Sequence, residues 1–294
     1  MNTKNRFLDY SDYTQEKPFD FAKNSAIGCG GDAEICFCPK SVAEITSLIH
    51  RLKQDGIAYY ILGNLTNVLP PDGETNRAII RTKNLNGIVF TENGAFAYAG
   101  VNSGALLSAC RRESKSGAEF LYGVPCTLGG ALYMNAGAGG AYIDEIVESV
   151  LVLREGKALT LAKADCGYAY KRSVFMENGD VILGGALRLK KATAAEIFAN
   201  ERHYANRRKH LPKGKSMGCV FKNPKNAFAG DLIERSGFKG MRIGGAKVSE
   251  EHANFIINDD GATAGQIRSL ITVIKNGVFA QYGVQLEEEI RYLE

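Results

Sequence analysis

YGVPCTLGGALYMNAGAGG, residues 122–140, holds six glycines in nineteen residues and not one charged side chain. Glycine weakens a regular helix or strand, because it has the most backbone freedom to lose on folding and no side chain to pack. So dense a set in an apolar setting points to a backbone that something approaches closely. A flat or phosphorylated ligand needs such a surface, and so does a buried loop that packs backbone on backbone. The stretch by itself supports both readings.

On either side the chain alternates short β-rich runs with a few helical ones. AYYIL (58–62), AIIRT (78–82), FAYAGV (96–101), SVLVL (149–153) and VILGGALRL (181–189) read as strands, most of them bounded by Gly, Asn or Asp. Ser41 with Glu44 reads as a capping box, and Ile45, Leu48, Ile49 and Leu52 then recur at helical spacing until Gly56. Thr193 with Glu196 and Thr263 with Gln266 open two further helices, the second with Ile267, Leu270, Ile271 and Ile274 on one face. The class is α+β. The chain becomes more charged from Thr193 through NRRKHLPKGK, so the expected domains are 1–190 and 191–294.

With 294 residues, 45% of them hydrophobic and 23% charged, the chain can bury one large core or two ordinary ones. The polar start lacks the apolar segment of a signal peptide, and no run reaches the length of a membrane span. A soluble, cytoplasmic protein with no membrane insertion is expected, and we read it as a monomer. Seven cysteines, an odd number without a CxxC pair, fit reduced thiols better than a disulfide framework or a zinc site, so no metal is expected. The net charge of +4 is too small to argue for nucleic acid and suits anionic ligands.

Four further segments could carry chemistry. GNLTNVL (63–69) follows a strand-like run and offers backbone N–H groups and a hydroxyl to a phosphate, although an ordinary strand-ending turn has the same composition. GxxxxGK[ST] does not occur and no segment gives GxGxxG between a strand and a helix, so neither a P-loop nor a Rossmann dinucleotide site is supported. GYAYKRSVF (167–175), read as extended, can turn only one of Lys171 and Arg172 toward a given face. SMGCVFKNP (216–224) places a thiol beside a glycine, where it could be a proton donor, a nucleophile or an inert buried group. In VQLEEEIRYLE (284–294) a strand would put Glu287 and Glu289 on one face and Glu288 on the other. A solvated acidic surface is the competing reading.

The order of these segments is more specific than any one of them. GNLTN, the glycine-rich stretch, YKRSVF, GCVFKNP, then AGDLIERSGFKGMRIGGAKVSEEHANFIIN (229–258) and LEEEIR together resemble the UDP-N-acetylenolpyruvoylglucosamine reductase family, over about residues 24–291. The resemblance implies an FAD-binding domain of the vanillyl-alcohol-oxidase (PCMH) type, a smaller substrate domain whose last strand returns toward the active site, and NADPH as reductant. The implied reaction reduces UDP-N-acetylglucosamine enolpyruvate to UDP-N-acetylmuramate in peptidoglycan precursor synthesis. Only MENGD separates Phe175 from Val181, which resembles the shorter subtype without an inserted tyrosine loop. By the same resemblance FAD contacts Gly63, Asn64, Thr66, Asn67, Tyr122, Gly123, Pro125, Thr127, Gly129, Gly130, Asn135, Ala136 and Gly137. Substrate contacts are Tyr170, Arg172, Lys222 and Asn223, and the catalytic set is Lys171, Cys219 and Glu289.

Four departures from the family pattern fall inside these motifs. Lys171 stands where the family has an arginine, which keeps the charge and loses the planar two-donor grip on a carboxylate. Leu65 replaces the glycine of GxGSN, and Cys126 replaces another glycine. Cys219 takes the place of the family's proton-donating serine, and a thiol, with a pKa of about 8.5, is a far stronger acid than an alcohol. A diverged flavin- or UDP-sugar-binding protein with weak or no catalysis is the alternative that these changes keep open.

Overall fold

The computed structural model describes residues 7–293, so the first six residues of the expected 1–190 domain and the last of the 191–294 domain lie outside it. The fold is α+β, as expected from the sequence. The chain forms two compact units, each drawn from separate segments.

Unit 1 takes the chain up to Lys17, Ile35–Asn64 and Arg77–Lys209. Its first sheet contains β1 (Gln15–Glu16), β2 (Cys36–Phe37), β3 (Tyr59–Leu62) and β4 (Ala78–Arg81) in the order β1-β2-β4-β3, with β4 parallel to both of its neighbours. Parallel strands need a crossover, and α1 (Val42–Gln54) lies in the one between β2 and β3. Ser41 Oγ accepts the N–H of Glu44 at 3.1 Å, while the Glu44 carboxylate reaches past Ser41 to the N–H of Lys40 at 2.8 Å. Ile45, Leu48, Ile49 and Leu52 are all buried with Phe37 and Ile80.

The second sheet is antiparallel throughout, in the order β8-β7-β9-β6-β5, from β5 (Ile88–Thr91), β6 (Gly94–Tyr98), β7 (Val147–Arg154), β8 (Lys157–Ala162) and β9 (Val181–Arg188). Central β9, a continuous apolar run in the sequence, is buried along most of its length. It shares a core with α2 (Ser103–Arg112) and α3 (Leu128–Met134). A Cβ on Gly185 would come within 3.0 Å of Leu132, so the missing side chain on β9 seats α3, which is cut from the glycine-rich stretch. Between Val174–Met176 and β9 the chain makes only a short turn, where Arg154 grips Asp180 with two bonds of 2.8 and 2.7 Å.

α4 (Ala194–Arg208) starts at the full Thr193–Glu196 capping box and packs against the helical turn Glu119–Leu121, with Arg111 paired to the buried Glu201 at 3.0 Å. It therefore belongs to unit 1. A single boundary near residue 190 does not describe these contacts: the change in charge that suggested it marks the solvated face of a helix, not a change of domain.

Unit 2 takes Pro18–Glu34, Leu65–Asn76 and the chain from His210 onward. Its strands β10 (Ser216–Cys219), β11 (Arg242–Ile243), β12 (Ala246–Val248) and β13 (Phe255–Asn258) form an antiparallel sheet ordered β10-β13-β12-β11. α5 (Ala229–Arg235) and α6 (Ala264–Tyr282) complete its core, with Ile267, Leu270, Ile271 and Ile274 buried as their spacing predicts. Side chains and one strand pair bind the two early segments into this unit. Asn258 Nδ2 donates to the carbonyls of Ile27 and Gly28, both at 2.9 Å, and Val68–Leu69 pairs in parallel with Arg291–Tyr292. Asp72 accepts the N–H groups of Ala264 and Gly265 at 2.6 and 2.8 Å, adding to the Thr263–Gln266 capping box of α6.

Candidate active site

In unit 1, β3 delivers the chain to Gly63, where a Cβ would fall 2.3 Å from Thr127 Oγ1. Asn64 Nδ2 donates to the carbonyl of Pro125 at 3.3 Å, joining the same two loops. Thr127 caps α3 by accepting from Gly130, and the N–H of Gly129 bonds the Ala99 carbonyl at 2.8 Å, with room for no side chain between them. At Gly63 and Gly129 the close approach is thus to the protein's own chain. Gly123 is different, since it is exposed, has φ +71, and meets only the Arg208 side chain. At Gly130 a Cβ would find nothing nearer than its own cap, Thr127 Oγ1, at 3.4 Å. The stretch does both things its composition allows. Some glycines lock two loops together, and others leave bare backbone of the kind a dinucleotide needs. Tyr122 and Pro125 are exposed on the same loop, so the residues present fit FAD.

Asn135 ends α3 in the left-handed region, at φ +44. Its buried side chain donates to the carbonyl of Ala169 at 2.9 Å and accepts the N–H of Asp144 at 3.2 Å. It serves the protein's own turns. Ala136 and Gly137, both half-buried, continue into a short pairing with Tyr142.

The carbonyl that Asn135 holds begins a tight turn. Ala169 and Arg172 exchange backbone hydrogen bonds of 3.1 and 3.0 Å, leaving Tyr170 and Lys171 at the tip, with Lys171 at φ +54. This corrects the extended reading of 167–175, and the alternation argument between Lys171 and Arg172 falls with it. Arg172 pairs with Glu177 at 2.9 Å, with both side chains 61% exposed to solvent. Tyr170 is 44% exposed and meets Tyr142 edge to face, with ring centres 6.2 Å apart. Ser173, wholly buried, donates to the carbonyl of Tyr133 at 2.6 Å and fastens the turn to α3.

Unit 2 brings together Asn67, Cys219, Lys222 and Glu289. Gly218, at φ +77, bends β10 just before the half-buried Cys219. The N–H of Glu289 donates to the carbonyl of Val220 at 2.8 Å, and that of Lys222 to the carbonyl of Glu287 at 2.8 Å. Residues 287–289 therefore run antiparallel to 220–222. Asn67 Nδ2 donates to the carbonyl of Glu289 at 3.0 Å, and the N–H of Arg291 to the carbonyl of Asn67 at 2.9 Å. Of the three glutamates, Glu287 pairs with Lys222 at 3.3 Å and Glu288 with Lys275 at 2.6 Å. Asn223 Oδ1 accepts the N–H of Ala229 at 3.0 Å and so serves as a cap for α5. Thr66 is half-buried beside Leu65, which is 2% exposed with φ +51.

Sequence reasoning missed Asn254. Its buried side chain accepts the N–H of Phe221 at 2.9 Å and donates to the carbonyl of Phe221 at 2.8 Å, acting as a strand partner two residues from Cys219. HANFIIN carried the signal, an asparagine inside a β-rich run where a side-chain amide can replace a backbone. All seven cysteines are unbridged. Burial pushes the Cys126 thiol up to about 11, and that of Cys166 likewise.

Residues 33–162 match the family model of an FAD binding domain, and residues 209–293 that of the UDP-N-acetylenolpyruvoylglucosamine reductase C-terminal domain. The chain is similar to the UDP-N-acetylenolpyruvoylglucosamine reductase of Clostridioides difficile, with 36% identity over 92% of this chain and 90% of that protein. It is 38% identical to the enzyme of that name from Shouchella clausii, over 91% of this chain and 87% of that one. Among solved structures, UDP-N-acetylenolpyruvylglucosamine reductase from Thermus caldophilus superposes with a TM-score of 0.84 at 28% identity, covering 96% of this chain and all of the other.

Proposed function

The chain belongs to the UDP-N-acetylenolpyruvoylglucosamine reductase family, and from that premise we infer that it reduces UDP-N-acetylglucosamine enolpyruvate to UDP-N-acetylmuramate, using FAD and NADPH. The observation that carries this reading is the likeness to named reductases along nearly the whole chain, which takes in the FAD-binding and C-terminal regions alike. FAD, when bound, would supply hydride transfer between NADPH and the enol ether. Gly123, Gly130 and the neighbouring exposed backbone would hold it.

The remaining tasks fall to charged and acidic side chains. Negative charge develops beside the substrate carboxylate as the hydride arrives, and a proton must follow. Cys219 gives that proton from its Sγ, a task for which a thiol is a stronger acid than the serine of the family pattern. Glu289, its backbone fixed by Asn67 and Val220, stands at the substrate carboxylate. Lys171 supplies the cation that the family draws from arginine. Arg172 pairs with Glu177 in solvent, a contact that a substrate carboxylate or phosphate can replace. Tyr170, Arg172, Lys222 and Asn223 contact substrate. The substrate and NADPH are cytoplasmic metabolites, which is where we place the enzyme, as a monomer of 31.9 kDa that light scattering can check. No helix among the described residues is long and apolar enough to cross a membrane.

Purified protein should be yellow and should oxidise NADPH in response to the enolpyruvyl sugar. A colourless protein that also refuses added FAD contradicts the reading. Cys219→Ala should leave flavin reduction by NADPH intact and slow reoxidation by substrate about 10²- to 10⁴-fold, the range of general acid catalysis. Equal loss of both half-reactions would remove Cys219 from the role. The second reading, a flavin- or UDP-sugar-binding protein without catalysis, is motivated by Lys171 and Leu65 in place of the family's arginine and glycine, and normal single-turnover reoxidation by substrate rules it out.

A further inference from the structure

α4 ends against the glycine-rich stretch of its own unit. Its last turn carries Arg207 and Arg208. A Cβ on Gly123 would lie 3.2 Å from Nε and 3.4 Å from Cδ of Arg208. One turn earlier, a Cβ on Gly139 would lie 3.1 Å from the ring of Tyr204. Both glycines are exposed and left-handed, at φ +71 and +63, so the stretch is bare where this helix reaches it. The charge of Arg208 is felt as far as Cys126, where it opposes the upward push of burial on the thiol. A helix C-terminus attracts cations unaided, which accounts for a basic last turn. The Arg208 side chain also lies at Gly123, two residues before Pro125, whose carbonyl accepts from Asn64.

We propose that Arg208 binds the diphosphate of a dinucleotide lying along the 123–126 turn, that dinucleotide being FAD. The inference rests on the flavoenzyme reading above. A guanidinium presents a planar fork that can satisfy two phosphate oxygens at once, and its long stem places the charge beside backbone that carries no side chain. α4 thus contributes to cofactor binding, a role its position beyond residue 190 concealed.

The test is equilibrium binding to apoprotein, read by quenching of flavin fluorescence, for the wild type, Arg208→Gln and Arg208→Lys. FAD and riboflavin are titrated separately, because riboflavin has no phosphate. Arg208→Gln should weaken FAD binding about 10- to 100-fold and leave riboflavin unchanged, and Arg208→Lys should recover part of the loss. If FAD affinity holds while the KM for NADPH rises with kcat constant, Arg208 serves NADPH instead and the assignment to FAD is overturned. Parallel loss of FAD and riboflavin, or no change in FAD affinity or in the KM for NADPH, overturns it. Should Arg208→Gln fail to fold, Arg208→Lys decides by the same FAD-to-riboflavin comparison. Wild-type protein that binds neither flavin fails at the earlier step, on the flavoenzyme reading itself.

Discussion

Leu65 is a large apolar residue in a conformation that suits glycine. At φ +51 its Cβ crowds the backbone, which costs about 1–2 kcal/mol in an L-residue, yet its side chain is 2% exposed and contributes the burial of a leucine. The two effects can be separated. Leu65→Ala loses the side chain and keeps the strain, so stability should fall by about 2–4 kcal/mol. Leu65→Gly loses the same side chain and relieves the backbone, and should be about 1 kcal/mol more stable than the alanine variant, a reversal of the usual order that denaturant melts can read. If alanine is the milder change, the backbone there is not strained. Lys171 is left-handed too, at the tip of the 169–172 turn. Lys171→Arg should preserve or raise turnover, because the backbone demand is the same for both residues and arginine adds a second donor. Collapse of turnover with flavin still bound would mean a pocket rebuilt around lysine. Both positions stood out in the sequence as departures from a pattern, but their geometry did not. Tyr170-Lys171 has none of the Gly, Asn or Pro chemistry that marks a tight turn, so the turn is imposed from α3, by Asn135 on Ala169 and by the Tyr133 carbonyl on Ser173.

Three of the helices, α1, α4 and α6, were legible because their signals are local, whereas α2, α3 and α5 were not read. Thr193 and Thr263 carry their capping partners three residues on, and the apolar spacing of α1 and α6 is buried as read. What joins elements across the chain left no such trace. Asp72 accepts two N–H groups of α6 from nearly two hundred residues away, and Asp72→Ala should lower stability by about 1–2 kcal/mol, with Asp72→Asn intermediate, as thermal melts would register. The C-terminal segment adds a pH dependence. Burial raises Glu288, but its bonds from Lys275 and Tyr292 outweigh that and hold its carboxyl below the usual range. A depressed carboxyl contributes stability that is present above the unfolded value, about 4.3, and is lost as pH falls through the folded one. Melts of the wild type should therefore weaken below about pH 4.5 more steeply than those of Lys275→Met, and equal slopes would assign the acid sensitivity elsewhere.

At the scale of the molecule, the chain passes between its two units five times, at 17/18, 34/35, 64/65, 76/77 and 209/210. A fragment ending at residue 190 lacks α4 of unit 1, and one starting at 191 lacks both early segments of unit 2. Neither should give a cooperative melt alone. A sharp transition in either fragment would show that the missing segments are dispensable to it. The composition break near residue 190 could not reveal this, because membership of a unit is decided by pairings such as Asn258 with Ile27. The pairing of Val68–Leu69 with Arg291–Tyr292 has a consequence for how the protein is made. On the ribosome, the segment around Leu65 and Asn67 waits for a strand made more than two hundred residues later. Non-local closure of this kind is slow and leaves an edge exposed meanwhile. A message cut before the codon for Arg291 would thus release a chain whose flaw lies around residue 68 as well as at the cut, and cellular proteases would meet it as an unfinished unit 2.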